Sequence, residues 1–218
     1  FLTFLIAIPS GIKTFNWLLT MWGGKLKFEA PLIFPLGFII GFLIGGITGV
    51  FLNIIPFDVV TQDTYFVVGH FHYIVIGGAV STLFGAMYYM LPKWTGKMYS
   101  RKTAILHWLA WTPGFILTFG SMLILGILGM PRRYYDYSNF GNVDVLTFWN
   151  QLATIGALLQ AIAFALFVFN IVYTLWRGKP AGDDPFGIGE WDRLEVVDSS
   201  FEDKFANIKT KVVPETSG

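Results

Sequence analysis

Cysteine is absent from the 218 residues, which removes disulfides, thiolate haem ligation, iron–sulfur clusters and cysteine-based zinc sites in one step. Charge is scarce as well. Asp, Glu, Lys and Arg together make up 13% of the chain, against roughly 25% in ordinary soluble domains. A formal net charge of +1 speaks against a nucleic-acid partner. With three histidines in all, metal chemistry has to rest on a few imidazoles, on carboxylates or on carbonyls. What the chain does contain is apolar: 54% hydrophobic residues, 18% aromatics and 24 glycines, with a mean hydropathy of +0.59. Such a composition belongs in lipid, where helices pack closely on small residues and carry interfacial Trp and Tyr belts.

A helix needs about 20 apolar residues to cross a hydrocarbon core of about 30 Å. The apolar runs predict an all-α, polytopic transmembrane bundle over residues 1–177, with five spans at about 1–22, 31–55, 63–91, 103–130 and 146–176. Phe1 opens inside an apolar run without a charged leader, so the first span reads as a helix entered part-way rather than as a signal peptide. Gly23-Gly24, Ile55-Pro56, Pro92 and Met130-Pro131 are the expected helix ends. Gly37, Gly41, Gly45 and Gly49 form a small-residue stripe, expected to be a helix-packing face.

Lysine and arginine set the orientation. Lys25, Lys27, Lys93, Lys97, Arg101, Lys102, Arg177 and Lys179 fall on one side, which is therefore cytoplasmic, or the matrix in a mitochondrion. Asp58, Asp63, Arg132, Arg133, Asp136 and Asp144 fall on the other. Residues 178–218 read as a polar cytoplasmic tail that docks on its own bundle or on neighbouring subunits.

Gly69-His70-Phe71-His72 places two imidazoles inside the third span, in its outer half. Residues i and i+2 of an α-helix point about 200° apart, so the pair cannot readily grip one ion, but can hold two partners on opposite faces. Interhelical hydrogen bonding is the alternative role for a membrane histidine. Neutral imidazole is a normal axial ligand of haem iron, and the spacing, with Phe71 between and Gly69 beside the pair, favours ligation. Lys13 lies about nine residues, roughly 14 Å, from the end of its helix. That depth is too great for simple snorkelling and marks Lys13 as functional.

The run Asp63-Thr64-Tyr65-Phe66-Val67-Val68-Gly69-His70-Phe71-His72-Tyr73 resembles the tenth-helix signature of the catalytic subunit I of haem–copper terminal oxidases. Ile6-Ala7-Ile8-Pro9-Ser10-Gly11-Ile12-Lys13 is similar to the eighth helix of that subunit, and Gly45-Gly46-Ile47-Thr48-Gly49 to its ninth. Gly129-Met130-Pro131-Arg132-Arg133-Tyr134 is similar to the segment after its eleventh. The resemblance covers about residues 1–195, the C-terminal portion of the subunit with helices eight to twelve.

This resemblance implies a respiratory enzyme that reduces O2 to water with proton translocation, using two haems and copper. It makes His70 the axial ligand of the high-spin haem and His72 an axial ligand of the low-spin haem. It implies that Arg132 and Arg133 bind haem propionates through charge-assisted bonds, and that Asp58 shares a proton with a propionate. Lys13 and Ser10 are assigned to an inner proton-uptake path. Gln62-Asp63 departs from the usual His-Asp pair, and a Mg²⁺ site there would have a carbonyl oxygen in place of an imidazole. His107 matches a family histidine at the inner end of the eleventh helix and reads as structural.

The copper ligands and the second low-spin haem ligand belong to helices one to seven of the family, so a companion polypeptide or a continuation of this chain is expected to supply them. Oxidase subunits II and III, the lipid bilayer, and cytochrome c or quinol as electron donor are the other implied partners. Gln62 favours a prokaryotic plasma membrane over a mitochondrial inner membrane. A nitric oxide reductase-like haem protein is the runner-up within the class. A non-haem transporter with a midplane histidine pair is the alternative that hydropathy leaves open.

Overall fold

The computed structural model describes residues 2–24, 26–182 and 184–187. Phe1, Lys25, Asp183 and the part of the expected tail beyond residue 187 lie outside them. The chain runs through α1 (Leu2–Leu5), α2 (Ala7–Met21), α3 (Ala30–Leu52), α4 (Ile55–Thr61), α5 (Tyr65–Ile74), a π-helical turn (Val75–Val80) and α6 (Ser81–Thr95). It continues through β1 (Lys97–Met98), α7 (Arg101–Ile127), α8 (Val143–Arg177) and β2 (Lys179–Pro180).

Four helical stretches among the described residues are long and apolar enough to cross a membrane: Ala30–Leu52, Tyr65–Thr95, Arg101–Ile127 and Val143–Arg177. The chain is an integral membrane protein. The first expected span is present as a helix broken at Ile6, so that α2 alone has 15 residues. It lies against α3, where Trp17 meets Phe38 edge-on with ring centroids 4.9 Å apart.

Two expected helix ends differ. Pro92 sits inside the last turns of α6, and the helix stops instead at Gly96, whose φ of +64° provides the left-handed cap. The second span ends at Leu52, and Pro56 occupies the first turn of the new helix α4. A proline there gives up an N–H that would be unpaired in any case. Sequence patterning anticipates neither the short β1–β2 pairing at the inner end, Lys97 opposite Pro180, nor the π-helical turn. Gly77 and Gly78 lie in that turn, where the absence of side chains lowers the preference for regular α-helix. A Cβ at Gly77 would come within 2.6 Å of the Phe115 ring.

The glycine stripe on α3 is the packing face expected of it. Gly37 faces Trp108, Gly41 faces Gly77 and Phe115, Gly45 faces Tyr73 and Ile74, and Gly49 faces His70. Pro35 is accommodated within α3 because Gly85 of α6 leaves room for its ring. α7 and α8 approach backbone to backbone, so that a Cβ on Gly156 would lie 2.6 Å from the Gly114 carbonyl oxygen. Among the described residues buried side chains collect in three clusters, one of which is Tyr73, Phe115 and Phe119. Of the other two, Phe34, Tyr88, Trp111 and Phe167 fill the inner one; Leu125, Met130 and Leu146 fill the outer one.

Candidate functional site

His70 and His72 ride on α5, which is started by Thr64. The Thr64 hydroxyl accepts from the Phe66 N–H at 3.2 Å and donates to the Thr61 carbonyl at 2.6 Å. The two imidazoles point to different neighbours. His70 faces α3, with Nδ1 3.0 Å from the Gly45 carbonyl and 3.1 Å from Thr48 Oγ1. His72 faces α7, stacked on Phe119 with ring centroids 4.5 Å apart and planes 13° from parallel. Its Nδ1 lies 2.8 Å from the Val68 carbonyl one turn back.

A carbonyl can only accept, so both Nδ1 atoms carry the proton. The lone pair of each ring is then on Nε2, and neither Nε2 has a hydrogen-bond partner among the described residues. Fixing the tautomer through Nδ1 is the usual way a protein orients a ligating histidine. His70 borders a cavity of about 390 Å³ whose walls include Ser10, Phe42, Gly46, Gly49 and Ile74. A Cβ at Gly49 would stand 2.8 Å from His70 Cε1, so a glycine is what lets the ring occupy its place.

Ser10 reaches the His70 cavity and a second one of about 160 Å³ alongside Thr14 and Ile47. Lys13, three residues on, is exposed on the surface of α2 and borders neither cavity. Asp58 is half-buried in the first turn of α4, where the positive end of the helix favours a carboxylate.

Asp63 and Arg132 are brought together. They form an ion pair, the Arg132 N–H donates to the Asp63 carbonyl at 2.9 Å, and Tyr65 N–H donates to the Met130 carbonyl at 3.0 Å. These bonds stitch the start of α5 to the segment after α7. Asp63 and Arg133 take positive φ values of 60° and 61° to make the turns. Among the described residues Arg132 Nε is buried without a hydrogen-bond partner, whereas Arg133 is exposed. Gln62 is exposed beside Asp63, and no group of three or more His, Asp or Glu side chains gathers among the described residues. Mg²⁺ keeps several waters and binds through only one or two protein carboxylates, and Gln62 and Asp63 together offer one carboxylate and one amide oxygen to such an ion.

His107 is fully buried in a box of aromatic rings that includes Phe34, Phe84 and Phe167. Its Nδ1 is 3.0 Å from the Tyr88 hydroxyl, a setting that fits a structural histidine. Close to the outer end of α5, Tyr65 donates to the Tyr134 hydroxyl at 3.3 Å. Burial first, and the Tyr65 hydroxyl second, push the Tyr134 phenol above its ordinary pKa. Thr48, Gly49 and Phe119 were not singled out as individual site residues by sequence reasoning. Thr48 and Gly49 do lie within the Gly45–Gly49 run that carried part of the resemblance, whereas nothing in the sequence pairs Phe119 with His72.

Fold and site together define a polytopic membrane protein with two imidazoles on one helix that turn to different neighbouring helices. Residues 1–159 match the family described as Cytochrome C and Quinol oxidase polypeptide I, and the chain belongs to that family. It is 44% identical over 191 residues to cytochrome c oxidase polypeptide 1 of Halobacterium salinarum, covering 87% of this chain and 31% of that protein. It is 42% identical over 177 residues to cytochrome c oxidase subunit 1 of Alkalihalophilus pseudofirmus, covering 81% of this chain and 28% of that one. The chain thus spans about a third of the length of these curated relatives. A haem–copper terminal oxidase dimer solved by cryo-electron microscopy matches with a TM-score of 0.67 and 25% identity, over 81% of this chain and 36% of that chain.

Proposed function

We propose that this chain is part of the catalytic subunit of a respiratory terminal oxidase that reduces O2 to water with proton translocation. In this reading His70 holds the high-spin haem and His72 the low-spin haem. The observation that carries it is the shared state of the two rings. Each has Nδ1 tied to a backbone carbonyl and Nε2 unpartnered among the described residues, and they turn to different helices, α3 and α7. Bound haem and copper would supply the electron transfer and the oxygen chemistry.

The chain's own residues hold, orient and screen. Gly45 and Thr48 lock the His70 ring, Val68 and Phe119 lock the His72 ring, and Phe42 and Ile74 give the cavity beside His70 an apolar wall. Arg132, with Asp63 steadying it and a buried Nε unpaired among the described residues, is suited to a propionate at the outer end, for which Arg133 and Asp58 are the other candidates. Ser10, on the His70 cavity, would pass protons arriving from Lys13 on the same helix.

The copper ligands and the second axial histidine of the low-spin haem would come from the N-terminal part of the subunit, helices one to seven. Subunits II and III and a cytochrome c or quinol donor would complete the enzyme. The archaeal and bacterial relatives support a prokaryotic plasma membrane. The family match leaves no support for the transporter reading.

An absorption spectrum of the complex purified through this chain tests the proposal. Soret and α bands with a pyridine haemochrome yield of two haems per complex are expected; a complex without haem would overturn it.

A further inference from the structure

At the inner end of the bundle the segment Asp184–Gly187 folds back over the loops that enter α3 and α7. Phe186 is buried and stacks on Tyr89, with ring centroids 5.8 Å apart and planes 12° from parallel. Lys27 Nζ donates to the Phe186 carbonyl at 3.2 Å and to the Gly187 carbonyl. Arg101 donates to the Pro185 carbonyl at 3.2 Å. Between this strap and α3 lies a cavity of about 250 Å³, walled by Leu26, Leu32, Tyr89 and Phe186, with Lys27 and Glu29 on its rim.

The two rim charges are not equivalent. Glu29 is neutralised by Arg101, Nε to carboxylate 3.3 Å. Lys27 is exposed, and its partners among the described residues are neutral carbonyls. Among the described residues Lys27 is therefore a cation without a carboxylate partner, standing over an apolar hollow at the side of the membrane where the basic residues concentrate. A soluble anion would have no use for the hollow, and a neutral apolar molecule would have no use for the cation. A molecule with a phosphodiester on one end and an acyl chain on the other uses both, and basic pockets between helices on the cytoplasmic face are where anionic headgroups bind.

We propose that this cavity is a binding site for an anionic phospholipid of the inner leaflet, with its phosphate on Lys27 and the upper part of one acyl chain between Leu32, Tyr89 and Phe186. The lipid would bridge the α2–α3 loop and the C-terminal strap. The site is independent of the haem assignment, since none of its residues touches the His70 cavity.

The test is lipid retention by the complex purified through this chain, delipidated and then titrated with dioleoyl phosphatidylglycerol or dioleoyl phosphatidylcholine and read by native mass spectrometry. Phosphatidylglycerol should be retained in preference to phosphatidylcholine. Lys27→Gln should weaken it about fivefold, the factor that roughly 1 kcal/mol per interfacial lysine corresponds to. Leu32→Trp, which fills the hollow and leaves Lys27 in place, should weaken it as well and keeps the test decisive if Lys27→Gln does not assemble. Lys102→Gln, on an exposed lysine away from the cavity, should change nothing. Equal retention of both lipids, retention indifferent to Lys27→Gln and Leu32→Trp, or displacement of phosphatidylglycerol by inorganic phosphate would each overturn the proposal.

Discussion

Gly49 and His70 meet so closely that the imidazole fills the space a side chain at residue 49 would need, with Cε1 2.8 Å from the position of a Cβ. The ring cannot retreat without giving up its bonds to Gly45 and Thr48. Gly49→Ala should therefore displace the ring, at a cost in the range of about 1–3 kcal/mol for overpacking. The expected readout is loss or broadening of the high-spin haem band with the low-spin band retained. An unchanged spectrum would show that the ring adapts and that Gly49 is not its seat.

His72→Ala should abolish the low-spin haem signal, whereas His70→Ala should mainly disturb the high-spin haem and oxygen reduction. The two effects are expected to separate because the rings face different helices, α3 and α7. Full haem content and unaltered spectra in both variants would rule out ligation.

Lys13→Met should leave haem assembly intact and slow reduction of the oxygen-side haem by about tenfold or more, a factor of ten for each 1.4 kcal/mol of barrier. An electron entering a low-dielectric site needs a compensating proton, and Lys13 with Ser10 is the proposed supply. Stopped-flow reduction kinetics indistinguishable from wild type would remove Lys13 from the path.

Asp63→Asn removes the charge that faces Arg132. The pair is largely solvent-exposed on the Asp63 side, so the loss of stability should be about 1 kcal/mol or less. The larger consequence should be positional, because Arg132 would be held to residue 63 by its backbone bond alone. If Arg132 binds a propionate, the midpoint potential of a haem shifts in this variant; an unmoved potential would confine the pair to a structural role.

Tyr99, between α6 and α7, is buried, and burial together with the nearby Glu29 charge raises its phenol above the ordinary value near 10. The folded state then binds the proton more tightly than the unfolded state. Its contribution to stability is complete below pH 10 and is lost as pH rises through the folded-state value. Tyr99→Phe should accordingly make the protein more tolerant of strong alkali, and the native absorbance titration at 295 nm should lose no transition near pH 10. A lost transition there would mean that Tyr99 is accessible.

Much of the fold was legible because lipid imposes a simple code. Long apolar runs bounded by Gly, Asn, Ser or basic residues mark the four long helices to within a few residues, and the i, i+2 spacing of residues 70 and 72 does send the two rings to different neighbours, α3 and α7. Pro92 misled because a proline within the last turns of a helix interrupts few hydrogen bonds, and the actual stop is Gly96. The π-helical turn escaped because its cause is a tertiary one: Phe115 presses on Gly77, and Ser81, held by Trp111, takes the Ile76 carbonyl at 3.1 Å. The His70 seat was half legible, through the Gly45–Gly49 run. The turn at Asp63 was hidden, since an aspartate at positive φ leaves no pattern in a sequence.

The contact between Gly114 and Gly156 has a bearing on how such a protein is built in the cell. Two neighbouring helices whose backbones touch need no cofactor and no third helix to recognise one another. In the two-stage scheme, where spans insert first and associate afterwards, α7 and α8 can pair as a hairpin as soon as both have left the ribosome. The ring-bearing α5, which is locked to α7 where the Phe66 backbone occupies the space above Gly126, then has a ready-made wall to dock on before any prosthetic group arrives.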